Sequence, residues 1–129
     1  MSEKFSAGMK IVEEMLGEPI AGSLRASVGS TKFGRQRGPL AVEFVFADLW
    51  ARPGLDRRAR SLVTLGILIA LGQLDELKIH VVAAIRNGCT VQEIDEALLH
   101  STAYAGFPRA GQATAAAAEA LRAQGLMES

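Results

Sequence analysis

An all-α domain of about six helices is the fold that these 129 residues predict. Apolar residues recur at helical spacing along nearly the whole chain, and glycines, prolines and capping residues cut that pattern into helix-length pieces. The one stretch that would also suit a strand, residues 42–46 (VEFVF), has no partner strand elsewhere. With 49% hydrophobic residues, 13 glycines and 4 prolines, the chain reads as one compact domain over residues 1–129.

The first helix sets Phe5, Met9, Val12, Met15 and Leu16 on one face, and Gly17 with Pro19 closes it. A short helical turn over residues 20–24 follows. Residues 29–38, GSTKFGRQRG, are glycine-rich, basic and aperiodic, which makes them a loop, the expected mobile part of the chain and a candidate lid. Pro39 suits the first turn of a helix carrying Leu40, Phe44, Ala47 and Trp50 inward, until Arg52-Pro53-Gly54 stops it. Asp56 is placed to cap the central helix, which is apolar almost all round over residues 62–71 and so is expected to be buried on more than one side.

Gly72 ends that helix, and the next, residues 74–87, ends at Gly88, where a positive φ is normal. Thr90-Val91-Gln92-Glu93 is a capping box that opens a helix with Ile94, Ala97, Leu98, Thr102 and Ala105 on one side, closed by Gly106 and Pro108. The last helix, residues 109–124, has alanine at each of positions 115–118, so neighbours can approach it closely. A core of Leu, Ile, Val and Ala with 5% aromatics buries little area per residue. The apolar central helix and the alanine face of the last one therefore point to a homo-oligomer.

Composition excludes several functions. The 14 basic and 14 acidic residues cancel and form no basic face, so the electrostatic footprint of a nucleic-acid binder is missing. The clustered Arg57, Arg58 and Arg60 read as a solvated rim. A single cysteine, Cys89, rules out an internal disulfide and a CxxC motif, and packs as a small apolar residue in a turn. The N-terminal pattern is helical with interspersed acids, unlike a secretory signal, and residues 61–71 fall short of the roughly 20 residues that span a membrane. A cytoplasmic, reducing location and no membrane partner are expected.

The ionisable residues that interrupt the apolar pattern are the candidate site. Glu76 and His80 stand one helical turn apart among Leu74, Leu77, Val81 and Ala84. A histidine changes protonation near neutral pH, so His80 is the candidate proton donor, with Glu76 orienting the ring or favouring the imidazolium. The bland alternative is a half-buried histidine satisfied by a carboxylate. A second pair at the same spacing, Glu96 and His100, has Tyr104 one turn further, and His100 and Tyr104 are candidates to face the same cavity. No metal is expected, since the bundle-core motif is Glu-x-x-His and both pairs here are Glu-x-x-x-His.

Taken in order, Leu49-Trp50-Ala51-Arg52-Pro53-Gly54-Leu55, Arg60-Ser61-Leu62, Ala70-Leu71, Glu76-Leu77 with His80, Asn87-Gly88, Glu93-Ile94 with Glu96, and Tyr104, Gly106 and Pro108 resemble the carboxymuconolactone decarboxylase family over nearly the whole chain. The resemblance implies an alkylhydroperoxidase D-like all-α subunit, a ring-like homohexamer, and conversion of 4-carboxymuconolactone to the β-ketoadipate enol-lactone in protocatechuate breakdown. In the peroxidases of that superfamily a CxxC precedes the histidine. Matched through His80, its cysteine positions fall on Gln73 and Glu76, so the peroxidase reading is excluded. The family's common Pro-Ala-Ala-Asn is here Pro108-Arg109-Ala110-Gly111, which leaves the identity of the substrate open.

The implied chemistry asks for little. Loss of CO2 from the quaternary carbon of a carboxylated butenolide leaves electrons that delocalise onto the lactone carbonyl, so no cofactor is expected. The protein must stabilise that oxygen, return a proton to ring carbon and hold an anionic lactone. His80 is the proton donor in this reading, Arg52 or Arg60 the carboxylate clamp, and Tyr104 with His100 the contacts to the lactone. The competing reading is a non-catalytic helical oligomer that binds a small aromatic or lactone metabolite, with His80 and Glu76 as packing residues.

Overall fold

The computed structural model describes residues 2–128 and is helical, with no strand among the described residues. Its contacts gather into two compact units that meet in sequence between Asp56 and Arg57. No helix among the described residues is long and apolar enough to cross a membrane.

In the first unit, α1 (Glu3–Met15) begins where Ser2 accepts a hydrogen bond from the Phe5 N–H at 3.0 Å, and it buries Phe5, Met9, Val12 and Met15 as their spacing predicts. The expected short turn is a full two-turn helix, α2 (Ile20–Ala26). After the turns of the basic loop, α3 (Arg37–Leu40) runs without a break into a π-helix, Ala41–Trp50. Trp50 is buried as expected, but the rest of the inward face differs. The wider i→i+5 turn brings residues four apart nearly into register, so Val42, Phe46 and Trp50 form the buried row. Leu40 and Phe44, expected inside, are 67% and 54% exposed. α1 packs along the π-helix at Gly8, where an added Cβ would run into the Val42 carbonyl.

The second unit comprises α4 (Arg57–Leu71), α5 (Leu74–Arg86), α6 (Val91–Ala105) and α7 (Phe107–Ala123). Leu65 and Ile69 of α4, Leu77 and Val81 of α5, Ile94 and Leu98 of α6 and the alanine row of α7 make one core, with Cys89 packed into it from a turn. Two expectations change here. α4 fully buries one row, Ser61, Leu65 and Ile69, with Leu62 and Leu68 partly buried beside it, while Val63, Ile67 and Leu71 on its other side face outward. The alanine face of α7 is consumed inside the unit, where Ala113, Ala116, Ala117 and Ala120 pack in the core, and is not left for a partner.

The helix ends follow the sequence closely. The Thr90 hydroxyl accepts from the Glu93 N–H at 3.0 Å and the Glu93 carboxylate accepts from the Thr90 N–H at 2.9 Å, which completes the capping box. The same carboxylate pairs with Arg58, tying the start of α6 to the start of α4. Pro108, expected as a stop, lies in the first turn of α7, where its missing N–H costs nothing.

Candidate active site

α5 carries Glu76 in its first turn and His80 one turn later. Glu76 is exposed, whereas His80 is half-buried with its Nδ1 out of reach of solvent. Burial pushes the imidazole pKa below the ordinary histidine value, and the charge of Glu76 opposes that shift without reversing it. The sequence-based reading had Glu76 orienting the ring or favouring the imidazolium. Desolvation wins, so His80 rests as a neutral imidazole near pH 7 and needs an additional negative charge nearby to hold a proton there.

The antiparallel pair of α4 and α5 fixes where His80 sits. At one end the Asn87 Nδ2 donates to the Ser61 Oγ at 3.0 Å, and Ser61 is fully buried. At the other, Gly72 turns the chain with φ +70, a conformation that L side chains rarely adopt. His80 therefore lies midway along the pair. Sequence reasoning gave Ser61 and Asn87 no role. A serine inside the apolar run of residues 61–71, with an asparagine seven residues after His80, was the available sign of a buried polar tie between the two helices.

His100 and Tyr104 lie elsewhere in the same unit. Between α4 and α6 a groove of about 670 Å³ is lined by Leu62, Gly66, Gln92, Glu96, His100 and Ser101 among others. It shares Gly66, His100 and Ser101 with a second cavity of about 380 Å³ that reaches Ala70 and Tyr104. The groove exists because Gly66 and Ala70 present almost no side chain to α6. The rings of His100 and Tyr104 are 5.2 Å apart and tilted by 40°. Tyr104 is 83% exposed, so it is not a core residue. Neither His80 nor Glu76 lines the groove, and the structure does not bring the two Glu/His pairs together within it. Arg60 is half-buried in the first turns of α4, and Arg52 is an exposed residue of the first unit, just past the π-helix.

Two comparisons bear on what such an arrangement does. The model of the carboxymuconolactone decarboxylase family matches residues 39–119, a span that holds all six candidate residues. The chain is 35% identical over 124 residues to the 4-carboxymuconolactone decarboxylase of Acinetobacter baylyi, covering 96% of this chain and 91% of that protein. It is 42% identical over 105 residues to the nitrosuccinic acid decarboxylase npaB of Metarhizium robertsii, covering 81% and 71%.

Proposed function

Because the chain belongs to the carboxymuconolactone decarboxylase family, we propose that it is a cofactor-free carboxy-lyase acting on 4-carboxymuconolactone or a related carboxylated acid, with His80 as its proton donor. What supports the reading is a match to a decarboxylase of that name across nearly the whole of both chains, with a buried-shifted histidine inside the matched span. The β-ketoadipate pathway and a cytoplasmic location belong to the same proposal.

The names of the two relatives' substrates narrow the chemistry. 4-Carboxymuconolactone and nitrosuccinic acid each carry a carboxylate and a carboxymethyl group on one carbon, together with an acceptor that takes up the electrons left by CO2: the unsaturated lactone in one, the nitro group in the other. Both are substituted succinates. The proposed substrate class for this chain is accordingly a succinate whose second carbon bears such a sink.

His80 fits the proton balance of that reaction. A dianion bound beside the ring raises the imidazole pKa, so the proton is taken up with the substrate. Departure of CO2 moves the C–C electron pair into the acceptor, His80 gives its proton to carbon, and the ring returns to the neutral form that burial favours. Glu76 positions the ring. Arg52 or Arg60 is the proposed carboxylate clamp, and His100 and Tyr104 are the proposed contacts to the lactone.

A homo-oligomer, with the hexamer that the resemblance implies, belongs to the same proposal. Val63, Ile67 and Leu71 line α4 at 55%, 53% and 60% exposure, and Leu99 and Phe107 stand at 66% and 82%. That much large apolar surface suits a second copy better than water. Sedimentation velocity is expected to show an assembly well above 13.7 kDa, and a monomer at micromolar concentration would remove this part. The activity is tested by incubating the protein with 4-carboxymuconolactone and with nitrosuccinate while following CO2 release. Turnover of at least one acid far above its spontaneous rate is expected. Spontaneous rates for both would leave the non-catalytic binder as the better reading.

A further inference from the structure

We propose that Arg109 is a substrate-binding residue of this chain, its guanidinium holding the carboxylate that remains on the product, at the corner where α4 turns into α5. The inference rests on the decarboxylase reading above and names the residue that makes the site select a dicarboxylate.

Gly72 forms that corner. A Cβ built on it would run into Nη1 of Arg109 and lie 3.1 Å from Cζ, so the guanidinium occupies the space that a side chain at position 72 would fill. Arg109 reaches the corner from the first turn of α7, two residues after Phe107 opens the helix. The position is one of the two where the chain departs from Pro-Ala-Ala-Asn. At the other, Gly111, an added Cβ would meet nothing within 4 Å, so that position is open.

An arginine at the end of a helix often serves only to cap its last carbonyls, but here two of the last four are already engaged. The Leu68 carbonyl accepts from the Gln73 N–H at 3.0 Å and the Ile69 carbonyl from the Gly72 N–H at 3.2 Å. Among the described residues Arg109 makes no hydrogen bond and no ion pair, although Asp75 and Glu76 stand in the first turn of the adjoining helix. Arg109 is exposed, and its five N–H donors have no protein partner. That is the state of a fork that binds a carboxylate through two parallel hydrogen bonds before the carboxylate arrives.

His80 stands on the helix that opens two residues after Gly72, six residues beyond its first residue Leu74, about 9 Å along the axis at the helical rise. Side chains on a helix lean toward its N-terminus, so the imidazole of His80 and the carboxylate of Glu76 both lean toward the corner that Arg109 occupies. The bridging ligand is a four-carbon dicarboxylate with one carboxylate on Arg109 and its second carbon beside His80. An acid with a single carboxylate cannot make both contacts.

Succinate, which has no electron sink and cannot react, is the probe. Titrated into the intact protein and followed by amide NMR, it is expected to shift Gly72, Gln73 and Glu76, to bind Arg109→Gln about tenfold more weakly or worse, and to bind Arg109→Lys at an intermediate strength. Butyrate, which has one carboxylate and cannot make both contacts, is expected to bind wild type more weakly than succinate does. Equal succinate affinity in wild type and Arg109→Gln overturns the proposal, as does the absence of shifts at Gly72 in wild type, or a variant that only melts at lower temperature. None of these readouts requires turnover. A protein that binds succinate through Arg109 yet releases CO2 from neither candidate acid keeps this inference and loses the proposed reaction; the converse result does the reverse.

Discussion

His80→Ala lowers kcat by roughly a hundredfold or more, the usual range for losing a positioned general acid, while the far-UV helical spectrum survives. The helix tolerates the change because α5 is anchored by Leu77, Val81, Ala83 and Ala84, all fully buried, and by the Asn87–Ser61 hydrogen bond, none of which involves the imidazole. Glu76 is exposed and acts only through the ring, so Glu76→Gln costs less. Adding it to His80→Ala costs almost nothing further, because residues that act as one unit are non-additive. Steady-state kinetics on the two single variants and the double variant check this. Full additivity, or a well-folded His80→Ala protein with near-normal kcat, would return His80 to the packing residues.

The second large effect is on stability. Gly8→Ala is expected to cost about 3 kcal/mol, the upper part of the range for overpacking a close-packed contact. The added methyl group meets the Val42 carbonyl, a backbone atom of the π-helix, and lies 2.8 Å from Val42 Cγ1. Val42 is fully buried and Gly8 is buried against it, so neither side can give way cheaply. Trp50, the single tryptophan, is buried in the same unit, which makes its fluorescence a local probe of the damage. If the chain unfolds as the single domain its length predicts, Trp50 fluorescence and far-UV ellipticity move down together in urea. A Trp50 transition that falls alone would show that the unit ending at Asp56 melts separately. An unchanged midpoint by both probes would contradict the close contact.

These cases mark how much the sequence discloses. Helix ends were legible because they depend on nearest neighbours: Gly72, Gly88, the Thr90–Glu93 box and Gly106 each stop or start a helix by local chemistry. Inward faces were legible wherever the helix keeps its ordinary period, as in α1, and failed where the period changes. Nothing in the string AVEFVFADLW announces the i→i+5 turns, along which Val42 and Phe46 join Trp50 inside while Phe44 is out. An almost continuous apolar run also hid the difference between burial inside a subunit and an apolar face left outward, which α4 shows at Val63, Ile67 and Leu71.

The candidate site divides in the same way. One-turn spacing was enough to pair Glu76 with His80 and His100 with Tyr104, because each pair lies on one helix. Whether the two pairs share a cavity depends on how α5 and α6 are disposed about α4, which spacing does not encode. The balance at His80 between desolvation and the charge of Glu76 was equally out of reach, since it is set by the depth to which packing buries the ring. Arg109 shows the same limit: only the folded chain brings it against Gly72, thirty-seven positions earlier in the sequence.

The ionisation of His80 itself decides between a proton donor and a packing residue. Its imidazole resonances can be titrated by NMR, with the signal of His100 identified by its loss in His100→Gln. In the free protein the midpoint is expected below about 6.5, because burial disfavours the charged ring more than Glu76 favours it. With saturating succinate it is expected to rise, since an anion beside the ring stabilises the imidazolium. The corresponding rates follow: as pH increases, kcat/KM, which reports the free protein, falls before kcat, which reports the bound one. A free-protein midpoint at or above the ordinary histidine value, or one that does not move upward when the dianion binds, would contradict the account.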